Sequence, residues 1–117
     1  MNRSDADRLR DARDFARYAQ DSAGGLSAEV LADAIQPQHL ALYAIAIIGE
    51  TLNKVSGEIK SAAPDVEWRL VADLRNIIIH AYWQIDLSII AHIVESRLDP
   101  LIAKLNRLIA IIERSEK

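Results

Sequence analysis

The chain has 117 residues, a net charge of −3 and no cysteine, which fits one domain and excludes disulfides and thiolate metal sites. Half of the residues are hydrophobic but only 5% are aromatic, so the core must consist of Ile, Leu, Val and Ala, a composition that favours packed helices over a sheet. The negative net charge argues against a protein that coats nucleic acid non-specifically, because such binding needs many Lys and Arg side chains. It does not exclude a small basic site.

The N-terminal residues Met1 to Asp7 are charged and lack the apolar stretch of a secretory signal. The longest apolar run, Leu40 to Gly49, is far below the roughly 20 residues of a membrane span. We therefore expect a single soluble domain over residues 1–117, located in the cytoplasm.

Two helices are predicted at the start of the chain. Ser4 is suited to cap a first helix that runs to about Ala23, and the pair Gly24-Gly25 would stop it. Ser27 can cap a short second helix that continues through Ala34.

A long third helix is predicted over about residues 36–61, with Pro37 in its first turn. Leu40 to Ile48 is an unbroken apolar run, so this helix is apolar all round and solvent cannot cover one side. In a domain this small, we expect the second apolar side to face another subunit, which predicts a homodimer.

Two further helices complete the predicted fold. Pro64-Asp65 would begin the fourth, with Asp65 as its cap, and the helical pattern continues to about His80. After a short connection over residues 82–85, Asp86 would cap a fifth helix.

The fifth helix is predicted from Leu87 to about Glu113, with a kink near Arg97 because Pro100 lacks an amide donor. The expected fold class is therefore an all-α, antiparallel bundle of four to five helices.

The pattern Arg75-x4-His80-x-Tyr82 is the most informative motif. Arg offers a planar donor fork for a phosphate, and His can carry a proton near neutral pH. Random placement of the chain's Arg, His and Tyr residues would give the triplet roughly 0.007 times. The motif suggests phosphodiester chemistry without a metal.

Helical geometry constrains this motif. Asn76 and His80 are one turn apart and share a face, while Arg75 lies about 140° from His80. The two can act on one atom only if Arg75 reaches around the helix, if the helix ends near His80, or if a partner subunit supplies one of them.

Each motif residue also has an ordinary structural interpretation. Arg75 could be a solvated helix residue paired with Asp73 or Glu50, and His80 could be a hydrogen-bonded residue at a helix end. Tyr82 and Trp83 could simply close the core. The order and spacing of the residues together favour the functional interpretation.

Other polar residues give weaker signals. Glu50 and Asn53 share a helical face and could support the Arg75 site, although a solvated face is an equal alternative. His39 and His92 are expected to be structural or surface residues. A metal site built from His80, His92 and Glu50 is a minor alternative, because the chain lacks the dense spacing of known metal motifs.

The sequence resembles the HepT-like toxins of the HEPN superfamily, small helical ribonucleases with the signature Arg-x4-6-His, here Arg-x4-His-x-Tyr. Residues 46–54, which include Gly49-Glu50, look like the Ile-Ile-Gly-Glu-Ala segment of the family. Val66-Glu67-Trp68 and Gln84-Ile85-Asp86 resemble the entry to the signature helix and to the last helix. Ala81 and Thr51 depart from the family pattern, where Gly and Ala are frequent.

This resemblance implies a metal-independent endoribonuclease toxin with no cofactor. His80 would move the proton between the RNA 2′-hydroxyl and the leaving 5′-oxygen, Arg75 would stabilise the phosphorane, and Asn76 would orient the phosphate or the His. Since one His cannot easily act as acid and base in one step, a homodimer would supply a second His80.

The resemblance also implies a partner, an MntA-like nucleotidyltransferase antitoxin that transfers AMP to Tyr82. Added phosphates beside Arg75 and His80 would occupy the anion site and repel RNA. The alternative for Tyr82 is a packing role. The alternative for the whole chain is a non-catalytic helical module that dimerises and binds a nucleotidyltransferase.

Overall fold

The computed structural model describes residues 3–81 and 84–115, without the side chains of residues 70, 74, 77 and 81. A π-helical turn at Ile93–Arg97 joins the sixth and seventh α-helices. The described residues contain no strand, which confirms the predicted all-α bundle. The α-helices are α1 (Asp5–Ala23), α2 (Ala28–Asp33), α3 (Ile35–Asn53), α4 (Gly57–Ala62), α5 (Trp68–Ala81), α6 (Leu87–His92) and α7 (Leu98–Ser115).

Helix α1 lies antiparallel to α3. Near one end, the Arg8 guanidinium donates to the Lys54 carbonyl at 3.2 Å, and further along α1 the ring of Phe15 meets the edge of Tyr43 with centroids 6.1 Å apart. The order of these pairs runs forward on α1 and backward on α3. Helix α1 therefore covers one side of α3.

Helix α1 is also antiparallel to α7. Arg10 pairs with Glu113 at 2.7 Å, and the Gln20 amide donates to the Asp99 carboxylate at 2.6 Å. Between these contacts, the buried face of α1 is made of small side chains, which allow close approach of neighbouring helices. These are Ala12, Ala16 and Ala19, each 0% exposed.

Three of the predicted helix caps, Ser4, Ser27 and Asp86, are confirmed. The Ser4 hydroxyl accepts from the Asp7 amide at 3.1 Å, and the Asp7 carboxylate accepts from the Ser4 amide, so α1 begins with a capping box. Ser27 caps α2, and Asp86 caps α6 by accepting from the Ser88 amide at 2.9 Å. Each cap satisfies an amide that the helix itself leaves unpaired.

We expect the free energy of unfolding to fall as the pH drops below about 4. Hydrogen bonds from the Ser88 hydroxyl and amide lower the pKa of Asp86 below its ordinary 3.8. A carboxyl whose folded pKa is depressed stabilises the protein above its unfolded pKa and loses that contribution as the pH falls through the folded pKa. Urea unfolding at pH 5 and pH 3 should therefore show a smaller loss in Asp86→Asn than in the parent chain. The control is Asp21→Asn, which changes an exposed carboxylate and should lose as much stability as the parent chain. If Asp86→Asn and the parent chain lose the same free energy of unfolding between pH 5 and pH 3, the prediction is wrong.

The predicted third helix is too long. Helix α3 ends at Asn53, and a separate helix α4 starts at Gly57. Ser56 interrupts the helix because its backbone is extended and its hydroxyl accepts from the Ile59 amide, while its own amide donates to Asp5. The Ser-Gly pair is a turn signal that helical periodicity alone conceals.

The predicted start of the next helix is also wrong. Helix α5 begins at Trp68 rather than at Pro64-Asp65, which forms a turn. Asp65 does not act as the cap, since its carboxylate faces Arg107 at 3.5 Å and its carbonyl accepts from Lys104 at 2.7 Å. The turn therefore ties the start of α5 to α7.

A kink was predicted near Arg97 in one continuous fifth helix, and the structure has a π turn at Ile93–Arg97 between α6 and α7. The Leu98 amide donates to the Ile93 carbonyl, five residues earlier, in place of the usual four. Pro100 follows in the first turn of α7, where its missing amide weakens the regular α-helical ladder.

Most apolar residues of α3 are buried within the chain, because α1 and α5 both pack on this helix. Leu40 and Tyr43 remain 40% and 59% exposed. The second subunit thus stays a prediction, and the surface left for it on α3 is narrower than the sequence suggests. No helix in the described part of the chain is long and apolar enough to cross a membrane.

Candidate active site

Arg75 is placed by unusually close packing of α5 against α3. A Cβ atom at Gly49 would overlap Cβ of Arg75 and lie 2.6 Å from the Val71 carbonyl oxygen. Real Cβ atoms essentially never approach that closely, so only glycine permits this helix crossing. The position of the Arg75 backbone is therefore fixed by the absence of a side chain on α3.

The Arg75 guanidinium is held by two oxygen atoms. Its Nη2 lies 2.7 Å from Glu50 Oε2, and its Nη1 donates to Asn76 Oδ1 at 2.9 Å. Its Nε is buried and has no hydrogen-bond partner among the described residues. The predicted pairing of Arg75 with Glu50 is thus found, and Asn76 is a second contact.

Glu50 stands between two cations. Lys54 approaches its Oε1 at 3.3 Å, and a hydrogen bond from Lys54 is the main cause that lowers the pKa of Glu50. Partial desolvation opposes this shift, and the charge of Arg75 adds to it. Glu50 is therefore ionised at neutral pH and fixes the direction of the guanidinium.

His80 lies exposed in the last turn of α5. Since α5 is continuous from Trp68 to Ala81, the offset of about 140° between Arg75 and His80 applies. Asn76 shares the face of His80, and the Arg75 side chain reaches round the helix to Asn76. The Arg75 guanidinium thus contacts a residue on the His80 face, and the convergence of Arg75 and His80 on one atom stays a prediction.

A profile of the HepT-like ribonuclease family matches residues 7–108, which includes every residue of this arrangement. The chain belongs to the HepT-like ribonuclease family. The Arg75, Asn76 and His80 positions therefore lie within a HepT-like domain, as the resemblance in the sequence indicates.

Two curated relatives agree with this assignment. Probable ribonuclease HepT of Thermococcus cleftensis is 26% identical over 108 residues, which are 92% of this chain and 98% of the relative. A protein of Methanocaldococcus jannaschii whose name describes it as a candidate RNase is 33% identical over 58 residues, about half of each chain. No solved structure matches the chain at a significant level.

The remaining residues predicted for the candidate site lie as follows. The side chain of Asn53 is exposed, and no hydrogen bond among residues 3–81 and 84–115 links it to Arg75. Its carbonyl instead accepts from Lys60 at 2.9 Å. Tyr82, predicted as the modification site, lies outside the described residues, as does Trp83.

The three histidines are dispersed. His39 is exposed on α3, and His92 is exposed at the end of α6. Within the described ranges, no group of three His, Asp or Glu residues could hold a metal ion. A site built from His80, His92 and Glu50 is therefore not assembled in that part of the chain.

Two contributors to the candidate site were not assigned a role from the sequence. Gly49 sets the approach of α5, and an isolated Gly inside a helical pattern was the signal that could have revealed it. Lys54 completes the charge pair at Glu50, four residues later on α3, a spacing that brings side chains together on a helix.

A shallow cavity of about 190 Å³ extends the site on the other side of Glu50. It is lined by three cations and two carboxylates, together with Thr51. The charged residues are Arg3, Arg8, Lys54, Asp11 and Glu50.

Proposed function

We propose that this protein is a metal-independent endoribonuclease toxin in which Arg75, Asn76 and His80 act on an RNA phosphodiester. The observation that carries the proposal is the guanidinium of Arg75, fixed by Glu50 and directed to Asn76 on the face of an exposed His80. A cation held in one direction on the same helix as a proton carrier suits phosphoryl transfer, provided that both reach one phosphate.

In the proposed reaction, neutral His80 takes the proton of the RNA 2′-hydroxyl, whose oxygen attacks the adjacent phosphorus. Arg75 stabilises the charge on the pentavalent phosphorane, and a protonated histidine gives a proton to the departing 5′-oxygen. The bond from phosphorus to the 2′-oxygen forms and the bond to the 5′-oxygen breaks. The products are a 2′,3′-cyclic phosphate and a 5′-hydroxyl.

A second copy of the chain would supply the second histidine. One imidazole cannot easily be base and acid in a single step, so a homodimer that brings two α5 helices together satisfies the proton balance. Exposed Leu40 and Tyr43 on α3 are available apolar surface for such an interface.

Glu50 would act as a positioning residue that keeps Arg75 directed at the phosphate. The basic cavity beside Glu50 extends this cation site, and Arg3, Arg8 and Lys54 there would contact neighbouring phosphates of the RNA. Such contacts are local, which agrees with binding of RNA by an acidic chain.

We expect RNA cleavage to continue in EDTA and to produce 2′,3′-cyclic phosphate ends. Arg75→Ala should lower the cleavage rate by about 10²-fold or more, since it removes the charge that stabilises the phosphorane. Arg17→Ala, an exposed residue on α1, is the matched control and should leave the rate unchanged. Loss of cleavage on chelation, or equal rates for both variants, would contradict the proposal.

We further propose that a nucleotidyltransferase antitoxin of the MntA-like type silences the enzyme by modifying Tyr82. The phenol oxygen would attack the α-phosphorus of ATP, pyrophosphate would leave, and the phenolic proton would go to solvent or a base. Tyr82 follows His80 by two residues in the sequence, so the added phosphate would carry negative charge to the region where RNA binds.

Co-expression with such a partner should add the mass of one or more AMP units to the intact protein. Tyr82→Phe should abolish the addition and keep cleavage in the presence of the partner, whereas Tyr18→Phe, with an exposed tyrosine on α1, should change neither. An unmodified, stable complex would instead favour the alternative of a non-catalytic binding module.

A further inference from the structure

A second cavity lies away from the candidate active site, between α3, the start of α5 and the segment from α6 to α7. Its volume is about 250 Å³, and it opens to solvent. Most of its lining is apolar, including Ile45, Ile48, Val71, Ile93, Leu98 and Leu101. An apolar cavity with a few polar groups at its rim is the usual form of a binding site.

The rim of this cavity carries an excess of positive charge. Arg97 is ion-paired with Glu67, while Lys104 donates to a neutral group, the Asp65 carbonyl, at 2.7 Å. The carboxylate of Asp65 faces Arg107 at 3.5 Å. A ligand with a carboxylate beside its apolar part would complement this rim.

The size of the cavity discriminates between classes of ligand. Pockets for drug-sized molecules and cofactors usually enclose about 300–1,000 Å³. The 250 Å³ here suits one or two bulky side chains inserted from another chain. Ile89, which lines the rim, is 52% exposed and would cover the remainder of an inserted segment.

The π turn contributes to this geometry. It spans Ile93–Arg97 and so holds two of the lining residues, one at each of its ends. Such turns are concentrated at functional sites because they shift the register of a helix and redirect its side chains.

We propose that this cavity is a docking site for a segment of a partner protein that presents a bulky apolar side chain next to an Asp or Glu. The apolar side chain of the partner enters between α3 and α7. The partner's carboxylate pairs with Lys104 and also with Arg97, which keeps its ion pair with Glu67. This inference does not depend on the ribonuclease activity, because it concerns binding at a separate surface.

The test is selection of random 12-residue peptides displayed on phage against the full-length protein, followed by fluorescence polarisation of the selected peptides. We expect the selected sequences to share a bulky apolar residue adjacent to an acid. Replacing the acid by its amide, or the apolar residue by alanine, should weaken binding about tenfold or more.

Three charge variants make the test specific. Lys104→Gln should weaken binding several-fold, whereas Glu67→Gln should strengthen it because Arg97 is released from its ion pair. Arg107→Gln removes the same charge from α7 but does not line the cavity, so it should leave binding unchanged. Circular dichroism of each variant checks that the fold is intact.

Several results would overturn the proposal. One is a failure to select any peptide. Another is a peptide affinity that stays the same in Lys104→Gln and Glu67→Gln, and a third is a preference for basic peptides. Two further results would assign the cavity to another ligand. Tighter binding of 1-naphthoate than of any peptide would indicate a small molecule, and competition between peptide and self-association would indicate a second copy of the chain.

Discussion

The variant His80→Ala is expected to lose RNA cleavage by about 10²- to 10⁴-fold, the usual contribution of a positioned acid or base. Its free energy of unfolding should change by no more than about 0.5 kcal/mol, because His80 is exposed in the last turn of α5. Initial cleavage rates of a labelled RNA, measured together with urea unfolding, separate the two effects. A folded variant with undiminished cleavage would remove His80 from the proposed mechanism.

His39→Ala is the matched control, since His39 is also an exposed helical histidine but lies on α3. A mixture of Arg75→Ala and His80→Ala proteins tests the composite site. If Arg75 and His80 of different subunits act together, mixed dimers contain one intact pair and should recover part of the activity. If each subunit works alone, the mixture stays inactive.

The variant Gly49→Ala is expected to destabilise the fold by about 1–3 kcal/mol, the usual cost of forcing an extra carbon into a packed interface. The new methyl group would overlap Arg75 and press on the Val71 carbonyl, so α5 must move away from α3. Cleavage should fall as well, since this movement shifts the guanidinium from Glu50. Urea unfolding gives the first quantity, and cleavage at a temperature where the variant is fully folded gives the second.

Gly57→Ala provides the control for this experiment. Gly57 lies at the start of α4, and a Cβ atom there would meet no atom within 4 Å. This change should stabilise the protein by about 0.4–1 kcal/mol, because alanine restricts the unfolded chain. Equal effects of the two substitutions would show that Gly49 has no special packing role.

Local chemistry allowed much of the fold to be predicted. Ser4, Ser27 and Asp86 cap the helices that they were expected to cap, because capping depends on a few adjacent residues. The break after Asn53 was missed since the apolar periodicity continues across Ser56-Gly57, while the competing hydrogen bond runs from the Ser56 amide to the carboxylate of distant Asp5.

In the candidate site, too, some contacts could be predicted from the sequence and others could not. Contact between Arg75 and Glu50 was among the expected alternatives, since both residues belong to motifs that the sequence displays. The overlap that excludes any side chain at Gly49 depends on the distance between two helices, which a single sequence does not encode locally. The rim of the second cavity likewise joins Glu67 to Arg97, which lies 30 positions later in the chain.

The π turn lets the helix carry one extra residue at a single point while the helix on either side stays regular. Its hydrogen bond spans five residues where an α-helix spans four, so removal of a single residue from 93–97 would restore a regular helix. The positions of α7 would then keep nearly their present orientation relative to α6, and Leu105 and Leu108 would stay in the core. The side chains within the turn, which include Ile93 and Arg97 at the cavity, would be redirected instead. A single deletion in this segment should therefore disturb the cavity more than the fold.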